Sequence, residues 1–278
     1  MSLPNDEMCA EPKNARVAAI QMISTTRVEE NLQAAGTLIA EAVAQGADLV
    51  ALPEYFPIMG RRDSDKIAAR EIDGSGPIQD FLAETASKHG IWVIGGSMPL
   101  VASVEDKVLN TCLVFNPQGA RVARYDKIHL FGFQKGEERY NESATIEPGR
   151  QPVTFDTPFG RVGLSICYDL RFPELFRALG EIDLLVLPAA FTEVTGRAHW
   201  EILLRARAIE NQCYVLAIGQ GGVHENRRET HGNSMLIDPW GDVIARREKG
   251  AGVVIGELDH ARIAEVRTSL PALTHRVL

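Results

Sequence analysis

The chain lacks the features that mark several large classes of protein. Within its 278 residues no uninterrupted apolar run approaches the roughly 20 residues that a membrane helix needs, so no membrane partner is expected. Residues 1–14 carry Asp6, Glu7 and Glu11 and contain no apolar stretch of the kind a secretory signal requires. They are expected to form a disordered lead. Cysteine is scarce, with four residues at 9, 112, 167 and 213, and none forms a CxxC pair. That excludes a disulfide framework and a zinc knuckle and fits a reduced, cytoplasmic protein. There is no HExxH, no HxH and no P-loop, and His224 and His231 in a polar loop make only a poor pattern for a metal. Excess positive charge is missing too. Twenty-nine Lys and Arg stand against 37 Asp and Glu, a net charge of −8. Phosphate backbones need a basic surface, so nucleic acid is excluded as the main partner, although a local basic pocket for a small acid is not.

What is present is an alternation of apolar runs and amphipathic stretches, with 45% hydrophobic residues to supply a core. Val17–Ile20, Asp48–Leu52 and Ile91–Ile94 read as buried strands. Between them Glu29–Gln45, ended by Gly46, and Ile78–Lys88 have apolar residues at helical spacing. Strand and helix in alternation indicate β-α-β units. The pattern shifts in the middle of the chain. There Asn116–Gly119, Thr157–Gly160 and Asp238–Gly241 each carry an early Pro and a final Gly between two apolar runs. This turn chemistry predicts three antiparallel hairpins, over 111–125, 152–166 and 233–246. Further on, Leu184–Leu187 predicts a strand ending at Pro188. Trp200–Glu210 predicts a helix buried through Ile202, Leu203, Ala206 and Ile209. Tyr214–Ile218 and Val253–Leu258 predict strands, and Arg262–Leu270 a last helix. No linker or repeat divides the chain, so 15–278 is expected to fold as one domain, an α/β protein with two mixed sheets covered by helices.

Three reactive side chains each follow an apolar strand: Glu54, Lys127 and Cys167. Strand ends in α/β sheets hold such groups on a rigid base, so neighbouring strands would bring them into one cleft. Cys167 precedes the helix opening at Arg171–Leu175, and a thiol near a helix N-terminus is expected to favour the thiolate. The N–H of Tyr168 is placed to help hold an oxyanion. Against this stands the ordinary fate of a free cysteine, burial as a small apolar residue. Glu54, between Pro53 and Tyr55-Phe56, reads as a buried base or as a loop-rim charge. Lys127 alone would read as a surface lysine. His129 offers a Cys–His alternative, although a structural hydrogen bond is its plainer role.

Leu52-Pro-Glu-Tyr55, Tyr125-Asp-Lys-Ile-His-Leu130 and Ile166-Cys-Tyr-Asp-Leu-Arg-Phe-Pro-Glu-Leu175 resemble, in order, the three signature blocks of the nitrilase superfamily of carbon–nitrogen hydrolases. The resemblance implies a four-layer α-β-β-α sandwich and a Glu-Lys-Cys triad, with Glu54 as general base, Lys127 as oxyanion partner and Cys167 as nucleophile. It places a further family glutamate at Glu142, ahead of Glu147-Pro-Gly149, where it would position Lys127 or the substrate amine. It implies a thioester intermediate, no metal and no organic cofactor, and assembly as a homodimer or higher homo-oligomer. Phe191-Thr192 through Gly196–Trp200, Leu203–Val215, and His231–Met235 to Asp238–Gly241 look most like the deaminated glutathione amidase branch. That branch implies a small anionic amide as substrate, with 2-oxoglutarate and cysteinylglycine as products. Omega-amidase, carbamoylase and nitrilase specificities are the alternatives within the fold, and a non-catalytic scaffold is the alternative outside it. Arg171 and Arg197 are candidates to meet substrate carboxylates, the competing role for Arg171 being a structural pair with Glu174 or Asp169. Phe191 and Thr192 follow a strand end and are candidates to line the pocket.

Overall fold

The computed structural model describes residues 12–135 and 138–277. Most of the expected lead, residues 1–11 with Cys9, lies outside the described residues. Residues 13 and 14 are tied down: the Lys13 N–H donates to Pro158 O at 2.9 Å, and the Asn14 side chain accepts from the His260 N–H at 3.1 Å.

In chain order the elements are β1 (Ala15–Gln21), α1 (Val28–Ala44), β2 (Leu49–Ala51), α2 (Asp63–Ala68), α3 (Pro77–His89), β3 (Trp92–Ile94), β4 (Met98–Val101), β5 (Val108–Phe115), β6 (Arg121–Asp126), β7 (Gly132–Lys135) and β8 (Glu138–Asn141). There follow β9 (Thr154–Thr157), β10 (Gly160–Leu164), α4 (Pro173–Ala178), β11 (Leu184–Ala189), α5 (Glu193–Asn211), β12 (Tyr214–Gly219), β13 (Ser234–Ile237), β14 (Val243–Arg247), β15 (Gly252–Leu258) and α6 (His260–Ser269). A seven-stranded sheet runs β15-β1-β2-β3-β5-β4, with β6 also paired to β5, and a six-stranded sheet runs β14-β13-β12-β11-β10-β9. In each sheet three parallel strands, joined through helices, sit beside antiparallel hairpins.

The layering follows from the two-residue period of the strands. On β1, Val17 and Ala19 face one core, and Ala18 and Ile20 face another. The first core joins the two sheets, where Leu49, Ala51, Ile94 and Val114 meet Val162, Leu164, Leu184 and Val186. The second lies under α1 and α3, through Ala35, Ile39, Ile78 and Leu82. Phe176 of α4 and Trp200, Leu204 and Ala208 of α5 cover the far face of the six-stranded sheet. The result is the expected α-β-β-α sandwich. Its strands read as continuous apolar runs because both faces are covered. No helix among the described residues is long and apolar enough to cross a membrane.

All three predicted hairpins form, as β5–β6, β9–β10 and β13–β14. Two expectations need correction. First, β11 does not end at Pro188: it continues through it to Ala189, paired with β12. The neighbour on the other side, β10, stops at Leu164 opposite Val186, so the missing proline N–H falls where that side is open. Second, α5 begins at Glu193 and buries a different face, so that of the four expected residues only Leu203 packs against the core. Ile202 is 70% exposed and Ile209 48%, whereas Trp200, Leu204, Arg207, Ala208 and Asn211 are buried. Three elements, α2, β4 and the β7–β8 hairpin, had no counterpart in the sequence pattern.

Candidate active site

Glu54 lies just past β2, and the chain turns sharply after it. Tyr55 has φ +56°, in the left-handed region, and its N–H donates to Ser97 Oγ at 3.0 Å. Gly96 makes this approach feasible: at φ +54°, a Cβ there would fall 2.2 Å from Pro53 O. The Glu54 carboxylate is 1% exposed and fully engaged. Oε1 accepts from Lys127 Nζ at 2.8 Å and Asn110 Nδ2 at 3.0 Å, and Oε2 accepts from the Ala190 N–H at 2.9 Å.

Lys127 follows β6. Its backbone is clamped from both sides, its N–H donating to Asn110 O at 2.9 Å and its O accepting from the Gly149 N–H at 2.8 Å. Its side chain has no solvent exposure. Besides Glu54, Nζ reaches Glu142 Oε1 at 3.0 Å and Oε2 at 2.8 Å. Glu142 enters from the turn after β8. It also accepts from the Phe131 N–H at 2.7 Å and the Tyr55 hydroxyl at 2.8 Å. One ammonium thus sits between two carboxylates. Burial alone would lower the Lys127 pKa, but Glu142 and Glu54 more than offset this and hold it well above its ordinary value. Burial would raise the Glu142 carboxyl, and Lys127 brings it below the usual range. A buried ammonium in this setting stays charged.

Cys167 ends the run after β10, in the left-handed conformation at φ +50°. Such backbone costs about 1–3 kcal/mol and persists only where its surroundings enforce it. Here Asp169 enforces it. This fully buried carboxylate accepts from the Ile166 N–H at 2.8 Å, the His129 N–H at 3.0 Å and the Tyr125 hydroxyl at 2.6 Å, and it meets His129 Nδ1 at 2.7 Å. Behind the turn the Arg207 guanidinium donates to Leu170 O at 2.8 and 3.1 Å. His129 stacks flat on Phe172, with ring centroids 3.8 Å apart. Its ring nitrogen is spent on Asp169, the structural role expected of it. The expected thiolate is not the resting form. Burial, then the Glu54 charge, push the Cys167 thiol well above its ordinary pKa. The segment after Cys167 is a five-residue 3₁₀ turn before α4 starts at Pro173, so no long helix dipole opposes the two carboxylates.

Of the sequence-predicted site residues, Glu54, Glu142, Cys167, Tyr168, Arg171, Phe191 and Thr192 line one narrow pocket, with Lys127 buried behind the carboxylates. Arg171 pairs with neither Glu174 nor Asp169. Its guanidinium lies over the rings of Tyr168 and Phe191, 5.6 and 5.4 Å from their centroids, and meets His199 Nδ1 at 3.2 Å. Asp169 is unavailable to it because Tyr125 and His129 occupy it. Arg197 is held by Glu193 at 2.6 Å with its side chain 75% exposed. Thr192 caps α5, accepting from the Thr195 N–H at 3.3 Å. His224 and His231 do not converge: His224 bonds Ser24 O and Thr230 Oγ1, and His231 meets Glu193.

Sequence reasoning missed Tyr55, Asn110, Asp169 and Arg228 as parts of this site. Tyr55 and Asp169 stand inside the signature blocks, which was the available signal. Asn110 lies mid-strand, and Arg228 comes from the polar 223–231 loop, which carries no pattern. Arg228 donates to Ala190 O at 2.9 Å and lines the same pocket as Arg171 and Phe191.

Comparison with known proteins agrees with this geometry. A family model described as carbon-nitrogen hydrolase matches residues 16–268. A deaminated glutathione amidase of Synechocystis sp. is 44% identical over 94% of this chain and 97% of its own. The omega-amidase NIT2 of Danio rerio is 39% identical over 94% of both chains. The crystal structure of Saccharomyces cerevisiae Nit3, a member of branch 10 of the nitrilase superfamily, superposes with a TM-score of 0.86 at 31% identity, covering 96% of this chain and 97% of that one.

Proposed function

This chain belongs to the carbon–nitrogen hydrolase family, as an amide-hydrolysing enzyme of the nitrilase superfamily, and on that premise we propose that it cleaves a small carboxylate-bearing amide through a thioester on Cys167. The observation that carries the reading is that Cys167 lines one narrow pocket with Glu54, a carboxylate that is itself paired with a buried ammonium.

The chemistry runs from the neutral thiol. Glu54 takes the thiol proton as sulfur attacks the amide carbon, so no free thiolate has to accumulate beside two carboxylates. The carbonyl oxygen gains the negative charge, and Lys127 and the Tyr168 N–H stabilise it. Lys127 has a donor to give: two of its three contacts fall on the single carboxylate of Glu142, so turning one toward the oxyanion leaves both acids paired. Protonated Glu54 passes its proton to the leaving nitrogen, the C–N bond breaks, and the acyl group stays on sulfur. Water, deprotonated by Glu54, attacks the thioester and frees the acid and the thiol. Glu142 holds Lys127 in place throughout, with Tyr55 holding Glu142.

For the acyl group we favour 2-oxoglutarate, with deaminated glutathione as substrate. Arg171 at the pocket wall offers a planar donor for a carboxylate, and Phe191 and Thr192 close the slot around the carbon chain. The activity for which the Synechocystis relative is named supports the choice. The Danio rerio omega-amidase supports 2-oxoglutaramate as the competing substrate. Comparing kcat/KM for the two amides, an N-carbamoyl amino acid and a nitrile tests it, and a preference for 2-oxoglutaramate of more than about tenfold, or 1.4 kcal/mol, overturns it. We place the enzyme in the cytoplasm as a homodimer. The exposed Ile202 and Ile209 lie seven residues apart on one face of α5, a surface suited to a second copy, and sedimentation tests this.

A further inference from the structure

Beside the narrow pocket lies a much larger basin of about 610 Å³, which the reaction described above does not use. The two share a wall: Phe131, Glu142 and Arg228 line both. The basin is strongly basic. Arg61, Arg62, Lys66, Arg227 and Arg228 line it, against Asp63 and the Lys127-paired Glu142. Asp63 sits 3.4 Å from Lys66, and among the described residues Arg61, Arg62 and Arg227 form no salt bridge. A cluster of cations around one cavity, on a chain of net charge −8, is a local reversal of the protein's overall field.

Chemistry orients the amide across the two cavities. The acid that protonates the leaving nitrogen is Glu54, which lines the narrow pocket, and Lys127 joins it to Glu142, which lines both cavities. Glu142 thus marks where the two cavities meet. With the acyl chain read above toward Arg171, Phe191 and Thr192, the end left for the basin is the amine. We propose that the basic basin is the leaving-group subsite and that Arg61, Arg62 and Arg227 bind the carboxylate of a dipeptide-sized amine. Ammonia would leave this volume and its charges without a purpose, so the basin also separates the two candidate substrates. The inference rests on the Cys167 reading and deepens it.

The test uses three amides of 2-oxoglutarate, differing only in the amine: cysteinylglycine, cysteinylglycinamide and ammonia. The wild-type protein should favour the carboxylate-ended amine over its amide-capped form by about tenfold, as expected for charge-assisted hydrogen bonds. R61Q/R62Q and R227Q should lower that ratio by about tenfold, chiefly through KM. Equal kcat/KM for the two dipeptide amines, or a ratio that both variants preserve, overturns the proposal. Calorimetry with free cysteinylglycine keeps its failure distinct from failure of the underlying reading. Binding that weakens in R61Q/R62Q supports the basin even where no 2-oxoglutaryl amide is hydrolysed. Absence of binding to the wild type overturns it even where one is.

Discussion

The hydroxyl of Tyr125, two residues before Lys127 and on one sheet, donates at 2.6 Å to the carboxylate of Asp169, two residues after Cys167 in the turn that follows β10 of the other. The bond therefore couples the strand that aims the ammonium to the turn that aims the thiol. Tyr125→Phe removes the donor while Asp169 keeps the Ile166 and His129 N–H groups. A loss of about 1–3 kcal/mol in urea unfolding is expected, the cost of leaving a buried acceptor short of a partner, together with a fall in kcat larger than any change in KM. Stability loss with kcat intact would show that the bond holds the sheets but not the site.

Lys127→Met would leave Glu54 and Glu142 facing one another without a cation. Breaking a buried pair from one side costs about 3–5 kcal/mol, so the free energy of unfolding should fall by that amount and the denaturant midpoint with it. Turnover should disappear, since the oxyanion loses its charged partner. The Lys127→Met/Glu142→Gln double variant should recover part of the stability and none of the turnover. Equilibrium unfolding and steady-state assays on both proteins check this.

Glu54→Gln keeps the shape of the side chain and removes the proton acceptor. Because burial and Glu54 hold Cys167 as a thiol, loss of Glu54 removes both a brake on ionisation and the base that assists it. kcat should fall about 10²–10⁴-fold, the range for a lost general base. Alkylation of Cys167 by iodoacetamide should then follow the simple titration of the thiol instead of a Glu54-assisted profile. Full kcat in the variant would contradict the assignment.

Acid should unfold the protein in two stages. Burial lowers the pKa of His224 and, despite Glu193 beside it, of His231. Each depressed histidine contributes stability that begins to fall as pH drops below the unfolded value of about 6.5. Burial would raise Glu193, but bonds from Lys249, Arg197 and His231 hold it at about 2. Its stabilisation is complete above the unfolded value of about 4.3 and disappears as pH falls toward 2. Melting temperature should therefore begin to decline below about pH 6.5 and decline again below about pH 4.5. Glu193→Gln should shrink the second decline, which Glu142 and Asp73 also feed, and deepen the first, because Glu193 supports the charged form of His231.

Glu54 and Cys167 were legible because each closes an apolar run, whereas the strand before Lys127 is largely exposed; the three converge across two sheets, with β10 in one and β2 and β6 in the other, and not because their strands are neighbours. Glu142 was legible only through family resemblance, since its local sequence carries no periodicity. The contacts that hold these groups were not legible: Asn110 reaches Glu54 across 56 positions of chain, and Ala190 across 136. The α5 reading failed for a physical reason. Two apolar stripes run along that helix, and the buried one includes Arg207 and Asn211, whose polar groups are satisfied by Leu170 O and Arg207 O. The exposed stripe, with Ile202 and Ile209, looked more like core than the core did. The basin was hidden because Arg61, Arg62 and Arg227 come from two loops with no shared pattern.

The central claim is a covalent acyl group on one sulfur. Rapid quenching of the enzyme with deaminated glutathione, followed by proteolysis and mass spectrometry, tests it most directly. The account predicts a 2-oxoglutaryl mass on the peptide containing Cys167, absent from Cys167→Ala, which should also lose all turnover. An acyl group on Cys112 or Cys213, or full turnover in Cys167→Ala, would contradict it.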